Sequence, residues 1–207
     1  MLDSFAIRVF SGIFAVLALV GTIAISRHSR ALGGGFDSVR AARPTGVLFR
    51  QIWELSILLP FVFFFIGATV PSWVYGTPLN FAFPGGQFVQ IAALPLWFAG
   101  GTLALWSGRA LGRYMVVQIA VLPDHELVTQ GPYARIRHPA YTAVILMTAA
   151  SALFYVHVVL IIDALLVIAI ARARARREED LLSSPEGFGA RYREYMERTG
   201  RFIPRWR

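Results

Sequence analysis

Side chains able to do chemistry gather in two blocks of this chain. The first, Gly112 to Tyr141, holds Gly131-Pro132-Tyr133, Arg137, His138 and Tyr141. The second, Glu178 to Pro204, opens on the pair Glu178-Glu179 and carries Tyr192 and Tyr195. A histidine or a glutamate can take the proton from an amine nucleophile. An arginine holds a carboxylate by paired hydrogen bonds, a glutamate accepts from hydroxyl or ammonium donors, and a tyrosine ring attracts a cation to its face. Gly131-Pro132 permits a tight turn with close backbone approach. Pro139 is suited to the first position of a helix, where free backbone N–H groups favour an anion, and His138 stands at that helix entrance. Metal chemistry is not expected: there is no cysteine, and His28, His125, His138 and His157 show no paired ligand spacing.

The elements that must position these residues are membrane helices. Of 207 residues 56% are hydrophobic and only 15% charged, well under the roughly 25% of soluble domains. All twenty basic residues are arginines, and they give a net charge of +8. The arginines border apolar runs, which fits lipid headgroups and topology better than nucleic acid. Apolar stretches run from about 5 to 25, 47 to 70, 88 to 107 and 140 to 171. The last holds roughly 32 residues, which as one helix would reach about 48 Å, far beyond a hydrocarbon core of about 30 Å. A helical hairpin turning near Phe154–Val159 is therefore expected. The first stretch is too long for a signal-peptide core. Pro60 and Pro95 fall inside spans and should kink them.

The arginine-bearing segments 27–50, 109–137 and 172–177 should be cytoplasmic, and the uncharged loop 71–87 outside. The N-terminus is then outside, and both ends of the hairpin are inside. The expected fold is all-α: a polytopic transmembrane bundle of about five membrane helices, the last two a hairpin, with a cytoplasmic C-terminal helical segment. One unit spans 1–207, with N-terminal spans over 1–109 and the chemistry in 110–207. Gly33-Gly34-Gly35 follows no strand and precedes no helix, so it reads as a flexible turn and not a dinucleotide fingerprint.

The run GPYARIRHPAY, followed by a glutamate pair, FGARYREY and a terminal FIP, resembles the isoprenylcysteine carboxyl methyltransferase family. Membrane-embedded phospholipid N-methyltransferases share much of the pattern. The resemblance covers roughly Leu111 to Pro204. It implies an S-adenosylmethionine pocket, with S-adenosylhomocysteine as product, built from the loop before the hairpin, the hairpin's start and the C-terminal segment. By position it implies cofactor contacts from Gln118, Leu127, Gly131, Tyr133, His138, Pro139, Tyr141, Glu178 and Glu179, and catalytic roles for Arg137, His138 and Glu179. The implied acceptor is a lipid or lipid-like molecule, methylated on a carboxylate or on a related group, at the cytoplasmic face of what the composition suggests is a bacterial inner membrane. Two stretches depart from the family pattern: a longer spacer from Asp180 to Gly187, and Thr142-Ala143 where glycine often follows the tyrosine.

Three other readings compete with carboxyl methylation. The chain would act as a phospholipid N-methyltransferase, as an NADPH-dependent enzyme of the sterol-reductase type, for which it looks too short, or as a non-catalytic lipid-binding membrane protein. Oligomeric state is open. Residue by residue, Tyr192 and Tyr195 are expected to pack a tail helix on the bilayer surface. Arg50 and Glu54 should pair across one helical turn, and Asp163 is expected to reach the outer interface.

Overall fold

A computed structural model describes residues 1–32, 41–42, 46–115, 120–121 and 125–205. Gln118, Arg40, Arg43 and the Gly33–Gly35 run lie outside the described residues.

Among the described residues seven α-helices follow in order: α1 (Ser4–Ala31), α2 (Val47–Thr69), a single turn α3 (Ser72–Tyr75), α4 (Gly86–Leu111), α5 (Pro139–Tyr155), α6 (Val158–Leu182) and α7 (Ala190–Arg198). The fold is all-α; the strand pairing among the described residues is one two-residue antiparallel ladder, Ala41 with Val121 and Ala42 with Ala120, and two isolated bridges. Helices α1, α2 and α4 are each long and apolar enough to cross a membrane. The protein is an integral membrane protein. The lipid-facing sides of these helices expose Val16, Leu19, Leu55, Phe65 and Phe88, as expected where hydrocarbon replaces water. Pro60 and Pro95 sit inside continuous helices.

The expected hairpin is present and reverses at Val156-His157. Helix α5 has 17 residues, a length of about 25 Å. Val156 takes a left-handed φ of 49°, unfavourable for a β-branched residue, and the loop before α4 straps it down. Phe81 N donates to Val156 O at 2.9 Å, and Val158 N donates to Leu79 O at 2.9 Å. His157 caps α6 by accepting from Val159 N and is in the turn, as expected. Gln90, fully buried, accepts from Leu2 N at 2.7 Å and donates to Phe154 O at 2.8 Å and to Tyr75 at 3.1 Å. The N-terminus, the uncharged loop and the hairpin turn therefore share one end of the bundle. The arginine-bearing segments share the other.

Helix α4 packs closely on α5. A Cβ on Gly100 would stand 2.7 Å from Met147 Cγ and 3.1 Å from Ala143 O, so only glycine permits this approach. At the turn end the core is an aromatic plug: Phe14 stacks on Trp97 at 4.4 Å and meets Phe64 and Phe154 edge-on at 5.3 and 5.4 Å. Asp163 turns into the bundle. It is 5% exposed, where α6 packs against α2. Arg50 and Glu54 pair at 3.7 Å with both side chains about half exposed, a geometry worth little.

Candidate active site

At the arginine-rich end the two polar blocks meet. A 3₁₀ turn over Gly131–Ala134, with Gly131 at φ +59°, leads into Arg137 and His138. Pro139 takes the first position of α5, as its fixed φ and missing N–H favour. The returning α6 delivers Glu178 and Glu179, and the tail beyond α7 closes back on the 135–138 segment. Gly200 N donates to Arg135 O at 3.0 Å, Arg137 N to Gly200 O at 2.8 Å, and His138 N to Arg201 O at 3.1 Å. Thr142 Oγ1 donates to Phe202 O at 2.9 Å.

Glu179 is the knot of this closure. Its buried carboxylate receives Arg137 Nε at 2.9 Å, Arg201 Nε at 3.0 Å and Arg201 Nη2 at 2.5 Å, and it lies 3.2 Å from His138 Nε2. Burial alone would raise this carboxyl. The hydrogen bonds from His138, Arg201 and Arg137 outweigh burial and hold it well below the ordinary carboxylate range. Arg137 also donates to the carbonyls of Met196, at 3.0 Å, and Thr199.

Glu178, one residue earlier, points elsewhere. Successive helical residues differ by about 100° around the axis, so one glutamate ties the tail and its neighbour faces a cavity of about 140 Å³. Leu127, Tyr133, Arg137, His138 and Tyr141 line that cavity with Glu178. Gly131, Pro139 and Glu179 do not line it. Tyr141 donates to Glu178 Oε2 at 3.0 Å and receives Arg174 Nε at 3.3 Å. Its ring lies near-parallel to His138, with centroids 5.5 Å apart.

The cavity also uses residues that the motif reading did not assign. Tyr192 and Tyr195 are buried in its wall and not spread on a bilayer surface, and Tyr195 donates to Tyr133 O at 2.6 Å. Burial, then the charge of Glu178, raises the Tyr133 and Tyr192 hydroxyls far above the usual tyrosine range, so both are neutral donors. The longer spacer after the glutamates folds as a tight turn that brings Phe188 into the cavity. Phe188 N donates to Leu182 O at 2.7 Å. Gly187 is obligatory there, since a Cβ would lie 2.4 Å from Leu181 O.

His125 stacks on Tyr114 at 4.2 Å and meets Phe188 edge-on at 5.4 Å, forming an aromatic wall of the cavity. Its Nδ1 is buried and has no hydrogen-bond partner among the described residues. Burial, aided by the Arg113 charge, lowers its pKa from 6.5 to about 4. The unfolded chain thus binds this proton near pH 6.5 and the folded chain only near 4, so protons favour unfolding across that window. The thermal midpoint is expected to fall as pH drops from 6.5 to 4. In His125→Phe, which keeps the stacking, that part of the slope should vanish, and an unchanged slope would contradict this origin.

A second, larger cavity of about 900 Å³ lies among α1, α2, α4 and α5. It meets the first at Met115, Ala140 and Tyr141, which line both. Its walls are mostly apolar, with Thr148 and Ser151 among them and Arg30 and Arg174 at the arginine-rich end. Arg174 is 3% exposed, stands over the Trp53 ring at 5.2 Å, and bonds the Tyr141 hydroxyl.

Residues 93–184 match the model of the isoprenylcysteine carboxyl methyltransferase family. This segment is ICMT-like. It carries α5, α6, the RHP triplet and both glutamates. A solved structure of the eukaryotic intramembrane Ras methyltransferase ICMT has a similar fold, with a TM-score of 0.53 and 21% identity. The similarity covers 78% of this chain and 54% of that one, so the present chain spans about half the length of that enzyme. No curated protein matches the chain.

Proposed function

We propose that the ICMT-like chain, acting as one unit over residues 1–207, is a membrane methyltransferase that uses S-adenosylmethionine to methylate a lipid-like acceptor, with the arginine-rich end of the bundle cytoplasmic. The observation carrying this reading is the junction of two unlike cavities at Tyr141: one polar and aromatic, at the arginine-rich end, the other apolar, within the membrane helices. A reaction between a water-soluble donor and a lipid needs that arrangement.

The first cavity's lining fits the donor. Glu178 suits the ribose hydroxyls or the α-ammonium, and Arg137 suits the carboxylate. The Tyr114–His125–Phe188 wall suits a flat base, and the buried His125 Nδ1 offers it a hydrogen bond. Tyr133 and Tyr141 present ring faces suited to a sulfonium. When bound, the cofactor supplies an electrophilic methyl group and leaves as S-adenosylhomocysteine. The chain's own work is alignment in a dry site, since displacement at carbon depends on in-line geometry. Arg174, held by Tyr141 and Trp53 at the junction, is positioned to hold an anionic acceptor head, which favours a carboxylate acceptor over an amine. A carboxylate needs no base. His138 and Glu179 are, in this reading, the frame that fixes Arg137 and Tyr141.

Calorimetry on the purified protein should detect S-adenosylhomocysteine with micromolar-range affinity. Membranes given methyl-labelled donor should carry label into an organic-extractable, base-labile product. Absence of binding by a folded sample would refute the reading, and label held in an alkali-stable amine would replace carboxyl with nitrogen methylation.

A further inference from the structure

The 900 Å³ cavity ends inside the bundle. Its deepest lining residues are Ala18 of α1, Phe64 of α2, Trp97 and Phe98 of α4, and Ser151 of α5. Behind them lies the aromatic plug around Phe14, with Trp97 stacked on Phe14 at 4.4 Å and Phe64 edge-on to it at 5.3 Å. Both Phe14 and Phe64 are 1% exposed, so the floor is sealed towards the turn end.

Resting on the methyltransferase reading, we propose that the Phe64–Trp97 floor measures the acceptor's hydrocarbon chain. The acceptor lies with its head at Arg174 and Tyr141, and its one chain runs along α5 to the floor. The ten residues from Tyr141 to Ser151 rise about 15 Å. Carbon–carbon bonds of about 1.5 Å advance about 1.25 Å each in a zigzag, so the floor admits roughly twelve extended carbons. Continuity with the junction and the positive charge of Arg174 there commit the occupant to a single-chain amphiphile with an anionic head.

Two glycines keep the shaft open. Gly101 lies one turn from Trp97, and a Cβ on it would meet Trp97 Cζ3 at an ordinary 3.9 Å. On Gly21 a Cβ would meet Leu105 Cδ2 at 3.7 Å. Side chains fit at both places, and both residues line the cavity. Gly101→Leu therefore shortens the shaft without clashing with its wall, by up to the roughly 6 Å rise of one turn. Trp97→Ala deepens it towards Phe14.

The test is displacement of a fluorescent fatty acid from the full chain in nanodiscs by unbranched fatty acids of increasing length. The wild type is expected to prefer chains near twelve carbons, estimated as above from the roughly 15 Å depth. Gly101→Leu should move the preference about four carbons shorter, from the rise of one turn, and Trp97→Ala should move it longer. Equal preferences in the wild type and Gly101→Leu would overturn the proposal even if Trp97→Ala fails to fold. S-adenosylhomocysteine binding, measured on the same samples, separates the two readings. Binding kept without a length shift removes the floor alone, while binding lost from the wild type removes the methyltransferase.

Discussion

Glu179→Ala will free the tail from the end of the bundle. The substitution leaves Arg137, its side chain 10% exposed, and the buried His138 facing a lost carboxylate. Removing one member of a buried ionic cluster costs about 3–5 kcal/mol. The lower end is expected here, since the Arg201 side chain is 36% exposed and water can replace part of its interaction. Two consequences can be measured together. The thermal midpoint should drop, and the segment around Arg201 should become an early trypsin site while the hairpin resists. Cofactor affinity should fall at least tenfold, because Tyr192 and Tyr195 leave the cavity wall with the tail. The pH dependence follows from the same carboxylate. Its folded pKa lies below the ordinary 4.5, so its contribution is complete above that pH and is lost as pH falls through the folded value. Glu179→Gln should flatten this acid limb. An alanine variant with wild-type stability and an uncut tail would show that Glu179 is not the knot.

Arg174→Met should separate binding from transfer. Arg174 stands in the membrane cavity at the junction and is absent from the lining of the smaller cavity. Methionine keeps the aliphatic length against Trp53 but has no charge. Loss of a charged hydrogen bond made to the acceptor head is worth about 1.5–3 kcal/mol, which corresponds to roughly a tenfold to hundredfold fall in methyl transfer. Affinity for S-adenosylhomocysteine should change less than threefold, a ratio far below the tenfold that 1.4 kcal/mol gives. Arg174→Lys should recover part of the transfer, since the charge returns without the planar fork. Equal losses of cofactor affinity and transfer would assign Arg174 to the donor's cavity.

Much of this arrangement was legible in the residues. An apolar run too long for one crossing and charged at both ends has few solutions. The reversal at Val156-His157 falls inside the expected turn. The same length argument brings Arg137-His138 to the end where Glu178-Glu179 emerge, and the RHP and glutamate motifs marked both. Periodicity could say that adjacent glutamates on a helix face different ways. It could not say which faces the cavity, because that depends on how α6 is rotated against α5 and α2. Arg201 belongs to no motif, and a partner 22 residues away shows no local spacing. Tyr192 and Tyr195 fitted a surface helix equally well until the tail was seen to fold back along residues 135–138.

The sequence by itself determined the long apolar helices and the reversal of the last apolar run, since apolar length and the charges at its ends depend only on the bilayer. It also determined which end holds the polar chemistry. Only the tertiary structure decided which glutamate ties and which lines, that an arginine enters the lipid-side cavity, and where that cavity stops. Those facts depend on the close approach of helices distant in sequence, as at Gly100 against Met147, and on side chains meeting across them. No local pattern of residues encodes such a meeting.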